Sequence, residues 1–255
     1  MGKRGGATGG RPRGRTARGS AHSREADARK HEDHEPEEED FLISSSNGSG
    51  RAHEILKHDD AFAVIDTHGD IGAFGDRGNG FFHNDTRYLS RLELLVAHNA
   101  PLLLGSAWDA TDLQLCADLT NPDVYAEGAL VLRKDAIHIY RTSYVRDNAI
   151  RQRLHFTNHS SEDVKLAVSL VFDCDFSDIF EVRGMRREKR GTVNRQIQSP
   201  QSVIYAYKGL DDVVRRTTVH LDPEPVSLGE TAALYYLHLA PKQSAKLYFA
   251  AVAES

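Results

Sequence analysis

Cysteine is nearly absent from this chain: Cys116 and Cys174 are the only two in 255 residues. Two thiols cannot build the disulfide framework of a small secreted domain, and neither stands in a CxxC or Cys/His spacing that would hold zinc. The simplest reading is a reduced, cytoplasmic protein. Long apolar runs are missing too. No stretch approaches the roughly eighteen apolar residues a membrane helix requires, and the start, Met1-Gly-Lys-Arg-Gly-Gly, has no apolar signal-peptide region. This predicts a soluble protein with no membrane partner. An excess of positive charge is also lacking, since the formal net charge is −5, which argues against nucleic acid as a specific partner. Long amphipathic helical patterns do not occur.

What is present begins with a biased arm. Residues 1–30 are Gly, Ala, Arg and Ser with hardly a large apolar side chain, and residues 31–40 turn acidic, ending Glu37-Glu-Glu-Asp40. Such a segment cannot bury enough surface to offset its ordering entropy. The composition predicts a disordered charged tail over 1–40, a linker or ordered lead-in over 41–60 and a folded domain over 61–255. The Arg/Gly-rich part, Arg11 to Arg18, reads as a solubilising tail, with loose polyanion contact as the alternative.

From residue 61 the hydrophobic pattern has period two, broken by turn residues, which is the signature of half-buried strands. Ile150, Gln152, Leu154 and Phe156 alternate with Arg151, Arg153, His155 and Thr157, and Val164, Leu166, Val168, Leu170 and Phe172 follow after Asn158–Asp163. These two runs are expected to pair as an antiparallel hairpin. Further strands are predicted at 61–66, 88–96, 102–106, 129–133, 137–145, 202–210, 213–222, 232–240 and 245–253. Lys134-Asp135 and Ala97–Ala100 serve as connections. About eleven antiparallel strands make a large all-β sandwich or a barrel, and the uneven spacing favours the sandwich. The chain stops on the apolar strand 245–253, which reads as a domain that once continued.

Two runs interleave ionisable and apolar residues within apparent sheet: Gly80-Phe-Phe-His-Asn-Asp85-Thr-Arg87-Tyr-Leu-Ser90 and Phe172-Asp-Cys-Asp-Phe-Ser-Asp178-Ile-Phe-Glu181-Val-Arg183-Gly184. Buried groups of this kind must be paired. Asp85, Arg87, Asp178, Glu181 and Arg183 supply both signs, and the expectation is a structural ionic network joining the runs, with Asn84 and Thr86 bracketing a turn. Asp173 and Asp175 lie on one side of an extended segment and are the best candidates for a glycosidase acid and base, although any Asp-x-Asp in a strand has that spacing. A calcium loop starting at Asp173 would need Gly at position 178, and no metal site is expected. The glycines Gly72, Gly75, Gly78 and Gly80 lack the Gly-Lys-Ser/Thr ending of a phosphate loop, so no nucleotide cofactor is implied. Gly78-Asn-Gly80 is expected to supply positive φ at a sharp turn. Trp108, in a predicted loop, is the best single sugar-stacking residue, with His83 and Asn84 as further carbohydrate contacts.

These runs, together with Gly69-Asp-Ile71, Ser90-Arg-Leu-Glu93 and Leu119-Thr-Asn-Pro-Asp123, resemble the N-terminal domain of bacterial-type glycogen debranching enzymes (amylo-α-1,6-glucosidases), over about Phe62 to Val252. The resemblance implies a β-sandwich placed before an (α/α)6 barrel that carries the catalytic carboxylates. No sequence of barrel type is present here. The resemblance therefore implies a non-catalytic accessory domain whose partner is a helical-barrel glycoside hydrolase domain, in cis or in trans. An α-glucan-binding module and a hydrolase of α-1,6-glucosidic linkages are the other two readings.

Overall fold

A computed structural model describes residues 52–72, 78–110 and 113–255. The tail of residues 1–40, most of the 41–60 lead-in and Gly75 lie outside the described residues. The fold is almost entirely β. Its largest sheet has eight antiparallel strands in the order β13 (Thr192–Ser199), β14 (Ser202–Lys208), β15 (Val214–Asp222), β18 (Ser244–Glu254), β11 (Ala149–Asn158), β10 (Ile137–Arg146), β7 (Gln114–Thr120) and β6 (Leu102–Asp109). Two four-stranded sheets accompany it. One is β1 (His53–His58), β2 (Ala61–Asp66), β3 (Gly80–His83) and β4 (Thr86–Leu89); the other is β16 (Ser227–Leu228), β17 (Ala232–Leu239), β12 (Val164–Asp173) and β5 (Arg91–Val96). A short hairpin, β8 (Val124–Ala126) with β9 (Ala129–Leu132), forms a sheet of its own. A helix of one turn, α1 (Ile179–Val182), follows β12.

The period-two pattern sets the layers. On β10, β11 and β18 one face is buried, through residues such as Ile139, Leu154 and Phe249, while the other carries polar side chains. The inner faces of the three larger sheets share one hydrophobic core. Phe172 of β12 meets Phe249 of β18 with ring centroids 6.0 Å apart, and β1 and β2 pack on β10. Ile71 and Leu92 exchange backbone hydrogen bonds of 2.8 and 3.0 Å, which stitch the chain after β2 to β5.

The strands over 150–156 and 164–172 do not form the expected hairpin. β11 pairs with β10 and β18, whereas β12 pairs with β17 and β5. The connection crosses from one layer to the other. Asn158, fully buried, anchors the crossing: its Nδ2 donates to the Leu239 carbonyl at 2.9 Å and the Glu162 carbonyl at 2.8 Å, and its Oδ1 accepts from the Ser160 amide at 2.9 Å. Alternation fixes which face a strand buries and leaves its partner open, so two apolar faces that meet across the core give the same pattern as a hairpin. The single strand expected over 88–96 likewise divides at Ser90 into β4 and β5, which belong to different sheets.

A buried polar network ties the layers together. Arg141 of β10 faces inward with no exposed surface, and its NH1 donates to Asp70 Oδ1 at 2.6 Å and to the His68 carbonyl at 3.0 Å. Gln152 Oε1 accepts from Arg141 NH2 at 2.7 Å, and Gln152 Nε2 donates to the Gly69 carbonyl at 2.6 Å. Gly69 has φ of 86°, and a Cβ there would lie 3.0 Å from Arg141 Nε. Left-handed backbone and close approach both call for glycine at this position.

Candidate functional site

The two polar runs meet at one place. Asn84 and Asp85, with φ of 45° and 58°, form the two-residue turn between β3 and β4, a conformation of the type that matches the twist of a hairpin. Gly80 has no positive φ, and the left-handed residues of this hairpin are Asn84 and Asp85. Gly80 serves close approach instead: a Cβ there would overlap the Arg87 side chain. The chain after β12 then runs beside this hairpin. The Arg87 amide donates to the Ser177 carbonyl at 2.8 Å, the Ile179 amide to the Asp85 carbonyl at 3.0 Å and the Ser90 amide to the Asp173 carbonyl at 2.8 Å. Phe176, with φ of 51°, is buried between Tyr88 (5.7 Å, edge-on) and Tyr207 (5.5 Å, stacked).

Arg87 makes the central ionic contact. Its Nε and NH2 reach Asp175 Oδ1 and Oδ2 at 3.1 and 2.5 Å, and its NH1 donates to the Asn79 carbonyl at 3.0 Å. Asp175 also accepts from the Ser177 hydroxyl at 2.9 Å. Burial raises the Asp175 pKa, but the hydrogen bonds and charge of Arg87, with the Ser177 hydroxyl and amide, outweigh it and hold the carboxyl below the ordinary aspartate value. Asp173 is held by a different cation, Arg195, whose NH2 lies 2.9 and 3.2 Å from its two oxygens. The two carboxylates thus have separate arginine partners.

Asp178 and Glu181 serve α1. The Asp178 carboxylate accepts from the Phe180 and Glu181 amides, each at 2.9 Å, and Glu181 Oε2 accepts from the Asp178 amide at 3.1 Å. This is a reciprocal capping box. Arg187 pairs with Asp178, and Arg190 Nε lies 3.1 Å from Glu181. The structure therefore groups Arg87 with Asp175 and groups Asp178 and Glu181 with Arg187 and Arg190. Asp85 contributes its backbone carbonyl, and Arg183 is the exposed C-cap of α1; neither makes an ion pair among the described residues. The sequence reading missed Asp175, Arg187, Arg190 and Arg195 as network members. The Asp-x-x-Glu spacing at 178–181 was the legible signal for the helix start.

The three carbohydrate candidates lie on separate elements, Trp108 on β6 and His83 and Asn84 at the β3–β4 hairpin. Trp108 sits on β6, at the edge of the eight-stranded sheet, and is 42 % exposed. It lies in a strand, where a loop was expected. His83 ends β3, is buried and packs on Tyr88 at 5.9 Å, with a buried Nδ1 that has no hydrogen-bond partner. Asn84 is exposed in the adjoining turn. Among the described residues no cluster of three or more His, Cys, Asp or Glu is placed to hold a metal ion, and no helix is long and apolar enough to cross a membrane.

Comparison with solved structures finds this architecture elsewhere at very low identity. A chain described as a kojibiose phosphorylase from the human microbiome is 10% identical, with a TM-score of 0.50 over 78% of this chain and 29% of that one. The present chain thus spans under a third of that protein. A galactose mutarotase-like protein from Lactobacillus casei ATCC 334 is 7% identical, with a TM-score of 0.45 over 80% of this chain and 100% of that one. A protein described as an aldose 1-epimerase from Escherichia coli K12 is 10% identical, with a TM-score of 0.42 over 80% of this chain and 99% of its own. No curated protein matches the chain significantly. The sequence model for the N-terminal domain of some glycogen debranching enzymes matches residues 56–250, which take in both polar runs and nearly all of the three larger sheets. By that match the chain belongs to the family of N-terminal domains of glycogen debranching enzymes.

Proposed function

We propose that this chain is a non-catalytic accessory β-sandwich that supports, or docks against, a glycoside hydrolase domain of helical-barrel type acting on α-1,6-glucosidic linkages, in the same chain or another. The observation that carries this reading is the separate arginine pairing of Asp173 and Asp175. A glycosidase needs one carboxyl protonated near neutrality and a second one free to attack or to activate water. Asp175 is shifted in the opposite direction, below its ordinary value, and its oxygens are occupied by Arg87 and Ser177. Family membership supports the same reading, because the matching family is a domain of larger debranching enzymes.

A reducing-sugar assay on limit dextrin and maltooligosaccharides tests it. The purified chain is expected to give no turnover. Turnover abolished by Asp173→Asn or Asp175→Asn, with folding intact in both variants, would make these carboxylates catalytic and overturn the reading.

A further inference from the structure

On the face of the eight-stranded sheet turned away from the core, strand register builds a cationic cleft. Across β11, β18 and β15 one cross-strand row is Arg153, Tyr248 and Asp222, and the next is Arg151, Ala250 and His220. All six line a hollow of about 270 Å³. Ala250 is the shortest side chain in these rows, so its methyl forms a floor with Arg151 on one side and His220 on the other. At ~4.8 Å per strand the Cα atoms of those two stand roughly 10 Å apart. Arg153 is two residues from Arg151 on the same face of β11, about 7 Å away. Three donor side chains therefore surround one floor.

Those donors are open to a ligand. Arg153 and His220 make no side-chain hydrogen bond or ion pair with a described residue, and Arg151 engages only NH1, on the Arg146 carbonyl. Each guanidinium carries five N–H donors, and an imidazole keeps at least one in either protonation state. Asp222 is the only carboxylate in the lining, so two permanent cations outnumber it before His220 is counted. The positive excess is felt beside the cleft: burial, then the charges of Lys246, Arg153 and His138, hold His155 below the ordinary histidine value. A neutral ligand would displace water from these charges without compensating them. A phosphoryl group presents three acceptor oxygens to match donors on three sides, whereas a carboxylate presents two. The hollow lies just under the roughly 300–1,000 Å³ of drug-sized ligand pockets, which leaves room for more than that group. Asp222, beyond Tyr248 in its row, is placed to accept from a hydroxyl on the body that carries it. We infer that this cleft binds a small phosphomonoester with a hydroxylated body, its phosphoryl group above Ala250 between Arg151, Arg153 and His220. The inference does not depend on the accessory reading, and the site is separate from the Arg87–Asp175 junction.

Titration calorimetry of the 255-residue chain with glycerol 3-phosphate tests this, with glycerol and inorganic phosphate as controls. Saturable binding of glycerol 3-phosphate is expected, with weaker binding of inorganic phosphate and none of glycerol. Arg153→Gln and His220→Gln should each weaken it by about tenfold or more, the worth of one charge-assisted hydrogen bond. Lys165→Gln, which removes an exposed cation from β12 in another sheet, should change it by less than about twofold, because solvent and salt screen so distant a charge. All three side chains are exposed, and an unchanged urea midpoint shows that each variant folds. Absence of saturable binding, binding that survives both cleft substitutions, an equal loss in Lys165→Gln, or inorganic phosphate binding as tightly as the ester would overturn the inference.

Discussion

Arg87 and Asp175 show what residue types reveal and what they leave open. The alternation of charge with apolar side chains in the two runs was legible, and so was the need for pairing. Which carboxylate meets which arginine depends on the path of the chain after β12. Asp178 and Glu181, the nearest matches by sequence, are engaged in capping α1, and Asp175 is the carboxylate that reaches Arg87. A pH dependence follows. The folded-state pKa of Asp175 is below its unfolded value, so its contribution to stability is complete above the unfolded pKa of about 3.9 and is lost as pH falls through the folded one. Asp175→Asn removes this contribution at every pH. Urea denaturation of both proteins should show a stability gap that is widest near neutrality and narrows below about pH 4. A gap that stays constant into acid would mean that Asp175 does not carry the depressed pKa.

At the scale of elements, the strands were far more legible than their partners. The expected strand at 61–66 coincides with β2, and those at 137–145 and 245–253 differ from β10 and β18 by one residue at one or both ends. β1, β3, β7, β8, β13 and β16 escaped notice. In Gly80–His83 all four residues are buried, so no period appears, while Thr192–Ser199 is mostly exposed and polar. Gln152 was visible inside an apolar face without a stated reason; its partner is Arg141, an inward charge on the neighbouring strand β10. Arg141→Ala would leave Asp70 buried without its cation, which costs about 3–5 kcal/mol. Asp178→Ala removes one helix cap on the surface and is expected to cost about 1 kcal/mol. Equilibrium denaturation of the two variants checks the ranking. An Arg141→Ala loss no larger than that of Asp178→Ala would place the network outside the load of the fold.

For the molecule as a whole, period-two patterning and the absence of helical patterns sufficed to expect a large sandwich, but not the division of its strands into sheets. The crossings after β4, β5, β9 and β11 each move the chain between sheets through a few residues. Short connections of this length also join hairpins, so their sequence does not distinguish the two outcomes. The ion pair of Arg87 with Asp175 joins the two polar runs of this family domain. The most direct test is a double-mutant cycle on stability with Arg87→Ala, Asp175→Asn and the double variant, read by urea denaturation. The pairing predicts a coupling between the two sites of about 1–3 kcal/mol, as for residues in direct contact, and additive effects within about 0.5 kcal/mol would contradict it.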